Sequence, residues 1–522
     1  MAITKYVDAK DCVLYNGVFS NNDASEKKVA FLRAHEKDVV LDGEKINYIF
    51  NGRITPIVVD HCKNVVIKNF NIDFDRPFYT QGKIEKVREN FFDLKIDDGF
   101  DFEVKNGEFI AKGKFWECNL NNCPVLMQEF DENKARVAYD GVLLLSKVGK
   151  GLEQDPKLPM PLTFFEAELI GERLVRFSGS KPGFKVGNRL VMTHELRLNP
   201  CIAITNCENV RIENITMRNG GAMGLICQLS KNITVQNVKV NLKESDNKLC
   251  SMNCDALHFV NCCGKIKITA CILENMMDDG INIHGVYTKV KKVEGNTVYT
   301  SIMHYQQQGV NFFKKGDKLH ILKENSNCIV GKKKVLNSEL VDDRTIKLTL
   351  NNTKGIVIGA NIENMTATPK VYIRNIRTGN NRPRGVLLTT PRRAKILDSV
   401  FYNAAFGIHI AGDTDYWYES GAVRKMLISG NKFLNCGCQG TDYAIGITPS
   451  YSPCDGSEFF HKNIRIINNN FCTFTDGMVY ATGVDKLKVK RNNYEMTKEY
   501  PKRCVTNKCT TVHCNNIKKD CD

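Results

Sequence analysis

The sequence contains no long hydrophobic run, because none of its apolar stretches reaches the roughly 18 residues that a membrane-spanning helix needs. Its first residues, Met1-Ala-Ile-Thr-Lys-Tyr-Val-Asp8, lack the apolar segment of a secretory signal peptide. Tryptophan occurs at only 2 of 522 positions, and long helical patterns are scarce. We therefore expect a mainly β protein without a membrane span, cytoplasmic rather than secreted after removal of a signal.

Acidic residues are outnumbered by basic ones, 58 to 73, which gives a formal net charge of +15. Such a charge permits an acidic partner, such as a sulfated or uronic glycan, a membrane surface or nucleic acid. The lysines, however, are scattered along the sequence, and the sharpest run, Lys332-Lys-Lys334, has no interleaved aromatics. We interpret them as a solvated surface and expect no nucleic-acid partner.

The 21 cysteines are numerous for such a chain. Many lie singly beside strand-like segments, among them Cys62, Cys207, Cys271 and Cys472. Buried single thiols behave as small hydrophobic groups, which favours a reducing compartment. A C-terminal tail places four more near His513, namely Cys504, Cys509, Cys514 and Cys521. Their spacing matches no standard zinc module, so we predict no metal there.

A short pattern recurs along the chain: an asparagine at a turn, an alternating strand, then a second asparagine. Asn209 and Asn232 begin two copies about 23 residues apart, and Asn463 and Lys486 begin two more at the same step. Strand-rich repeats of this length are typical of a solenoid, and the leucine pattern of leucine-rich repeats is missing. Asparagine tolerates left-handed turns and can stack from coil to coil. The pattern predicts an all-β fold, a parallel β-helix.

Two stretches break this rhythm, from Phe78 to about Asn199 and from Val286 to about Thr368. Both contain irregular strands between turn residues, so we expect two small antiparallel β subdomains or barrels inserted between coils. The predicted division is 1–77 N-terminal coils, 78–199 first insertion, 200–285 central coils, 286–368 second insertion, 369–500 C-terminal coils and 501–522 a cysteine-rich tail.

Three aspartates lie close together in the central coils, at Asp255, Asp278 and Asp279. A coil of about 23 residues puts Asp255 and Asp278 at equivalent positions on neighbouring coils, about 4.8 Å apart. Asp279 points elsewhere unless the strand ends there, and Gly280 makes such a bend plausible. Close carboxylates raise one proton affinity and leave another group ionised, which suits the acid and base of glycosidic cleavage. The alternatives are turn aspartates that cap backbone amides, or a calcium site.

The motifs around these aspartates resemble those of two enzyme families. Asn253-Cys-Asp255, Asp278-Asp279 and Ile283-His284-Gly285 resemble the three boxes of the polygalacturonase family. The spacing departs from that family, in which the histidine box lies about one coil beyond the paired aspartates.

The closer resemblance is to glycoside hydrolase family 110, the α-1,3-galactosidases that include enzymes removing the blood group B antigen. It rests mainly on Asp278-Asp279-x-Ile281-Asn282-x-His284-Gly285. Further matching segments begin at Ser251, Asp73, Gln81, Arg384 and Asp413, and they span most of residues 73–421.

This resemblance implies a right-handed parallel β-helix with small β subdomains and an exo-acting, inverting hydrolase. Its substrate would be a glycan ending in α-1,3-linked galactose, with Asp255, Asp278 and Asp279 supplying acid and base in an order left open. No metal and no organic cofactor is expected. Relatives imply a homodimer.

The same resemblance points to seven substrate-binding residues: His258, Asn282, His284, Arg384, Asp413, Trp417 and Glu419. The two histidines either bond galactose hydroxyls or hold the aspartates. The arginine pairs with a carboxylate or a hydroxyl, or forms a structural salt bridge. The tryptophan stacks on galactose or belongs to the core. The two acids grip hydroxyls, and Glu419 is a further candidate for proton donor.

Other classes of function remain open from the sequence. A noncatalytic β-helix binding protein or adhesin would hold ligand without turnover. A lyase or epimerase acting on uronic acids would need a lysine, arginine or tyrosine base, which the aspartate cluster does not obviously provide. A polygalacturonase-like or sulfated-galactan hydrolase would suit the basic charge.

Overall fold

The computed structural model describes residues 3–20, 26–155, 158, 160–194, 197–243, 245–324, 326, 328–450 and 459–503, with the backbone of 512–515. Regular structure in these residues is almost entirely β, apart from two 3₁₀ turns at Ala9–Asp11 and Tyr305–Gln307. Within this part of the chain, no helix is long and apolar enough to cross a membrane.

The N-terminal coils contain β1 (Thr4–Asp8), β2 (Val13–Tyr15), β3 (Lys27–Ala34), β4 (Lys37–Asp42), β5 (Asn47–Asn51), β6 (Ile54–Asp60), β7 (Lys63–Lys68) and β8 (Asn71–Phe74). The next ten strands are β9 (Tyr79–Val87), β10 (Phe91–Ile96), β11 (Phe102–Lys105), β12 (Glu108–Gly113), β13 (Trp116–Asn119), β14 (Val125–Phe130), β15 (Leu143–Val148), β16 (Leu162–Gly171), β17 (Leu174–Gly179) and β18 (Arg189–Thr193).

The central coils contain β19 (Ile202–Thr205), β20 (Glu208–Met217), β21 (Leu225–Gln228), β22 (Lys231–Val240), β23 (Leu257–Val260), β24 (Cys263–Thr269), β25 (Ile272–Glu274) and the start of β26 (Ile281–Glu294). Five strands follow before the coils resume: β27 (Thr297–Ile302), β28 (Lys318–Leu322), β29 (Ile329–Leu340), β30 (Thr345–Leu350) and β31 (Asn361–Asn364).

The C-terminal coils contain β32 (Pro369–Arg374), β33 (Arg377–Gly379), β34 (Val386–Leu388), β35 (Arg393–Leu397), β36 (Val400–Tyr402), β37 (Ile408–Ile410), β38 (Glu419–Ser420), β39 (Lys425–Ser429), β40 (Lys432–Leu434), β41 (Ile445–Ile447), β42 (His461–Ile467), β43 (Asn470–Thr473), β44 (Val479–Thr482), β45 (Val484–Lys490), β46 (Asn493–Met496) and β47 (Val512–Asn515).

The coils stack into three parallel faces. Face A consists of β4, β7, β20, β22, β24, β32, β35, β39, β42 and β45, each paired in parallel with the next. Face B continues from face A beyond a bend and includes β5, β8, β25, β33, β36, β40, β43 and β46. Face C consists of β3, β6, β19, β21, β23, β26, β34, β37, β41, β44 and β47.

Asparagines hold the corners between coils, as the repeats predict. Asn64, Asn209 and Asn232 all have φ near +56°, in the left-handed region that asparagine tolerates. The Asn232 amide donates to Asn209 Oδ1 and the Asn209 amide donates to Asn64 Oδ1, both at 3.1 Å. Val210 pairs with Ile233, which confirms the predicted step between these coils.

The core runs along the solenoid axis as stacked aliphatic side chains. Val235, Ile268, Ile373, Ile396 and Ile428 lie in register on successive face A strands and are completely buried. One coil alone cannot bury such a face, so stacking itself removes the apolar surface from water.

Two antiparallel units interrupt the stack. In the first, β9, β10, β17, β16, β15, β14 and β18 close into a barrel in which only β15 and β16 are parallel. In the second, pairings run from β26 through β27, β30, β29, β28 and β31 back to β26. The fold-class prediction, a parallel β-helix with two inserted antiparallel β subdomains, is confirmed. The six-segment division stays a prediction, and β26 runs through its boundary at residue 285.

Most described cysteines are free and buried, including Cys62, Cys207 and Cys271. At one corner their sulfur atoms accept backbone N–H groups, from Glu36 to Cys62 at 3.4 Å and from Cys62 to Cys207 at 3.3 Å. In the tail, Cys504, Cys509 and Cys521 lie outside the described residues, and the side chains of His513 and Cys514 are not described.

Candidate active site

The acidic cluster stands where three face C strands begin. Leu257 pairs with Ile281 and Ile281 pairs with Val386, so Asp255, Asp279 and Arg384 occupy equivalent positions on three successive coils. The expected pairing of Asp255 with Asp278 is therefore wrong by one residue, because this coil is one residue longer than the coils between the asparagine corners.

A bend before β26 turns Asp278 away from that column. Gly280 allows the bend to lie against the next coil, because a Cβ there would come within 2.4 Å of Thr378 Oγ1 and 2.5 Å of the Gly385 carbonyl oxygen. Glycine is thus required at this position by close packing between coils and not by a left-handed backbone conformation.

The three carboxylates approach one another closely, with one oxygen of each lying within 4.8 Å of the others. Asp255 is fully engaged: Oδ1 accepts from the backbone N–H of Asp279 at 3.0 Å, and Oδ2 lies 2.5 Å from His258 Nδ1. Asp279 Oδ1 accepts from Arg384 Nε at 2.7 Å. Asp279 Oδ2 is buried and has no hydrogen-bond partner among the described residues.

Three arginines surround Asp278. Arg197 donates to Oδ2 at 2.6 Å, while Arg382 and Arg384 lie 3.7 and 3.9 Å from Oδ1. Three guanidinium groups beside three carboxylates supply the compensating charge that buried acids require. A divalent cation would have to compete with them, so the donor set does not favour the calcium alternative.

The three aspartates have different pKa values because their surroundings differ. Burial raises the pKa of Asp255 to about 7, with a further contribution from Asp278. Burial also raises the pKa of Asp279 to about 8, although Arg384 opposes it. Burial alone would raise the pKa of Asp278, but the arginines, Arg197 foremost, bring it below its ordinary value. At neutral pH the cluster therefore contains one firmly ionised carboxylate and protonated acid beside it.

Hydrogen-bond partners assign the protons on the two histidines. His284 Nδ1 lies 2.6 Å from the Gly285 carbonyl oxygen, which can only accept, so Nδ1 carries a proton. In a neutral His284, Nε2 is then an acceptor, and His258 Nε2, 2.8 Å away, donates to it. His258 therefore presents a bare Nδ1 to Asp255, whose Oδ2 carries the proton between them. Burial lowers the pKa of both imidazoles, that of His258 to about 4, which keeps them neutral.

Glu419 and Asn282 lie beside this hydrogen-bonded chain of imidazoles. Glu419 Oε1 lies 3.5 Å from His284 Nε2 and accepts from Asn282 Nδ2 at 3.3 Å. Asn282 Oδ1 is buried without a hydrogen-bond partner in the described part of the chain. The hydrogen-bonded chain from Asp255 through the two histidines thus ends at the Gly285 carbonyl oxygen, and Glu419 lies beside it without a hydrogen bond to His284.

The segment before β38 places Trp417 beside the cluster. The indole is partly exposed, and Arg197 lies 5.6 Å from its ring centroid. His304, from the second insertion, packs on it with ring centroids 4.7 Å apart. Asp413 does not share this surface, because its oxygens accept backbone N–H groups of Asp415, Tyr416 and Trp417.

Two arginines and one histidine of this site were not anticipated from the sequence: Arg197, Arg382 and His304. Arg197 lies far before Asp278 in the chain, just after the first barrel, and nothing in its local pattern signals the contact. Arg382 stands two residues before the predicted Arg384, so it is the one that the motif itself could have suggested.

Three family models match consecutive parts of the chain. They are GLAA-B beta-barrel domain I over residues 80–190, Glycosyl hydrolases family 28 over 192–301 and GLAA-B beta-barrel domain II over 297–356.

Relatives match over most of their length. Alpha-1,3-galactosidase A of Shewanella woodyi is 31% identical over 500 residues, which cover 93% of this chain and 78% of that protein. Alpha-1,3-galactosidase B of Parabacteroides distasonis is 30% identical over 503 residues, 92% of this chain and 79% of that protein. Among solved structures, the family 28 exopolygalacturonase of Yersinia enterocolitica aligns over 99% of this chain and 79% of that chain, at 10% identity and a TM-score of 0.30.

Proposed function

The chain belongs to the α-1,3-galactosidases, glycoside hydrolase family 110, and on that basis we propose that it releases terminal α-1,3-linked galactose from glycans with inversion at the anomeric carbon. It is a glycoside hydrolase. The observation that carries the proposal is the aspartate cluster, in which one ionised carboxylate lies beside an acid whose pKa is raised to about 8.

Asp278 is the proposed base. It is the one aspartate of the three that is held ionised by arginines, and its side chain is 15% exposed, against 1–2% for the other two. In the reaction its carboxylate takes a proton from water as the water oxygen bonds to the anomeric carbon.

Asp279 is the proposed acid. Arg384 holds Oδ1, and Oδ2, which has no hydrogen-bond partner among the described residues, is left to carry the proton. As the anomeric carbon–oxygen bond breaks, this proton passes to the departing sugar oxygen, so the two products are free galactose and an alcohol. A pKa of about 8 keeps the Asp279 carboxyl protonated at neutral pH.

Asp255 and the histidine pair act through Asp279 in this scheme. Asp255 accepts the backbone N–H of Asp279, and its proton lies on the hydrogen-bonded chain through His258 and His284 to the Gly285 carbonyl oxygen. We assign these residues to positioning and to restoring the proton after each turnover, which favours the holding role among the two predicted for the histidines.

Substrate contacts remain predictions for four residues: Asn282, Arg384, Trp417 and Glu419. Asn282 Oδ1 offers a free acceptor for a sugar hydroxyl. The partly exposed indole of Trp417 offers an apolar surface that suits the apolar side of galactose. Asp413 contributes by capping the turn that presents the indole.

The stereochemistry rests on the family resemblance. Acid and base carboxyls of inverting enzymes are commonly about 6.5–9.5 Å apart, and those of retaining enzymes about 5–5.5 Å apart. Oxygens of this cluster approach within 4.8 Å, so the spacing itself does not favour inversion. Release of β-galactose as the first anomer from an α-galactoside would support inversion, and α-galactose would overturn it.

The decisive experiment uses proton NMR to follow galactose release from linear galactose-α-1,3-galactose and from the fucosylated B trisaccharide. The ratio of the two rates measures preference for the branch. A second candidate, hydrolysis of polygalacturonate, is favoured by the family 28 match over 192–301. Cleavage of polygalacturonate without galactose release would replace the first proposal by the second. The expected homodimer is tested by light scattering of the same sample.

A further inference from the structure

Face A carries an unusual distribution of charge. In its first coils, charges alternate across neighbouring strands: Glu208 lies between Lys63 and Lys231, with contacts of 3.7 and 2.8 Å. Further along the same face cations outnumber carboxylates, which are Asp485, opposite Lys462, and Asp398, paired with Arg374 after β35.

The first column of these cations lies at the start of successive strands. Lys265 pairs directly with Lys370, and Arg393 pairs directly with Lys425. Lys486, within β45, continues the column next to Asn463 on the preceding coil. All five cations are exposed.

A second column runs two residues farther along each strand. It reads Lys267, Tyr372, Lys395, Leu427 and Arg465 in continuous register. We call the cations of both columns the basic stripe: Lys265, Lys267, Lys370, Arg393, Lys395, Lys425, Arg465 and Lys486. None of these eight forms an ion pair with a carboxylate in the described part of the chain.

The stripe is long and narrow. Six coils at about 4.8 Å give it a length of about 24 Å, and the columns are about 7 Å apart along the strands. Its C-terminal half lines a groove of about 510 Å³, with Arg393, Lys395, Lys425, Arg465 and Lys486 around it.

Like charges directly opposite each other on neighbouring strands destabilise a sheet, and a single-sign field repels itself. The Lys265–Lys370 and Arg393–Lys425 pairs therefore add a cost that the alternating charges of the first coils avoid. A bound polyanion would neutralise these cations, so that the same residues would then stabilise the complex.

We propose that the basic stripe binds a linear anionic polysaccharide, sulfated or uronate-bearing, at a site separate from the catalytic cluster. The cluster lies on face C, whereas the stripe lies on face A. A row of cations at one per coil matches a ligand with anionic groups repeated along an extended chain. Single-stranded nucleic acid would call for stacking aromatics, and Tyr372 is the only aromatic residue in either column.

The test is binding of fluorescent dextran sulfate, polygalacturonate and neutral dextran to the full chain, measured across a salt series. The stripe variant combines Lys395→Gln, Lys425→Gln and Arg465→Gln. Its matched control combines Lys105→Gln, Lys181→Gln and Lys315→Gln, which are exposed lysines outside the stripe.

We expect the wild type to bind at least one anionic polymer and not neutral dextran. The stripe variant loses at least tenfold in affinity, and its slope of log K against log salt falls by about two, since three charges are removed. The control variant stays within twofold of the wild type. Comparison of the sulfate and uronate polymers identifies the anionic group.

Equal binding by the stripe variant and wild type would overturn the proposal, as would tighter binding of single-stranded DNA or phosphatidylserine vesicles than of either polysaccharide. Turnover of a small α-1,3-galactoside is expected to be equal in all three proteins, which shows that they are folded. Polysaccharide binding is measured without turnover. Its outcome therefore tests the stripe even if the protein shows no galactosidase activity.

Discussion

Replacing Asp255 with asparagine tests the proton assignment in the catalytic cluster. In the folded protein Asp255 donates to His258 and accepts the backbone N–H of Asp279. An asparagine side chain offers the same donor and the same acceptor, so the hydrogen bonds survive while the titration disappears. We expect Asp255→Asn to lose turnover, because an amide cannot pass the proton on, and yet to gain thermal stability.

The magnitude follows from the pKa of Asp255, which lies near 7 in the folded chain against an ordinary value of 3.8. Below pH 4 both states bind the proton, whereas between pH 4 and 7 only the folded state does, so the stability of the wild type falls as pH rises. The slope is about 1.4 kcal/mol per pH unit, which amounts to about 4 kcal/mol by pH 7 for an isolated group. Because Asp255 titrates together with Asp278 and Asp279, the pH-dependent change in the free energy of unfolding is smaller than for an isolated group, and we expect about 1–3 kcal/mol.

The assay is calorimetry of both proteins at pH 4.5, 6.0 and 7.5. A chain of this size shifts in Tm by about 1 °C for each kcal/mol. The advantage of Asp255→Asn is expected to be near zero at pH 4.5 and to grow to about 1–3 °C at pH 7.5. Asp278→Asn is the matched control, because it leaves Arg197 buried without its carboxylate, and its loss of about 3–5 kcal/mol has the opposite sign.

One result would refute the proton assignment. If Asp255→Asn were less stable than the wild type at pH 7.5, Asp255 would be an ionised partner of a charged imidazole. A stability difference that did not change with pH would equally remove Asp255 from the titrating groups.

Three further predictions concern other parts of the structure. Arg197→Met removes the main cation holding Asp278 ionised, so the acidic limb of kcat/KM is expected to move up by at least one pH unit; an unmoved limb would assign the base elsewhere. His284→Gln removes the imidazole that accepts the His258 Nε2 proton, and it is expected to lower kcat about 10–100-fold with little change in KM, whereas a pure rise in KM would indicate direct sugar binding. Asn469→Ala removes a buried side chain that donates to the Ile428 carbonyl and accepts from a neighbouring asparagine, at a cost of about 2–4 kcal/mol in thermal unfolding; a loss no greater than that of an exposed corner asparagine would contradict this.

Much of the fold could be predicted because each coil of the solenoid repeats a similar residue pattern, so the length of a coil is visible in the sequence. The step from Asn209 to Asn232 reappears in space as two amides in one hydrogen-bonded ladder. The aspartate cluster was also visible, since all three acids lie within one short stretch of the chain. The assignment of equivalent positions failed by one residue, because a register shift at Gly264, near the start of β24, adds a residue that the corner spacing does not reveal.

The parts that could not be predicted depend on contacts between distant segments. Arg197 reaches Asp278 only because the first barrel returns the chain to the coil beside it. The basic stripe is invisible for a related reason: its members are separated by unequal steps in sequence, long from Lys265 to Lys370 and much shorter from Arg393 to Lys425. Because the loops between coils differ in length, the cations that form one row in space are irregularly spaced in the sequence.

Asp255, Asp279 and Arg384 occupy equivalent positions on stacked coils, so the catalytic groups lie at the regular spacing of the β-helix. Its spacing is fixed by hydrogen bonds between backbones, so a carboxylate can be moved only by a whole coil or by a whole strand residue, never by a fraction of an ångström. Such a scaffold resists gradual adjustment of the distance between acid and base. New substrates are then accommodated by the elements that this regular spacing leaves free, namely the two inserted barrels and the loop that carries Trp417, while the reacting groups keep their places.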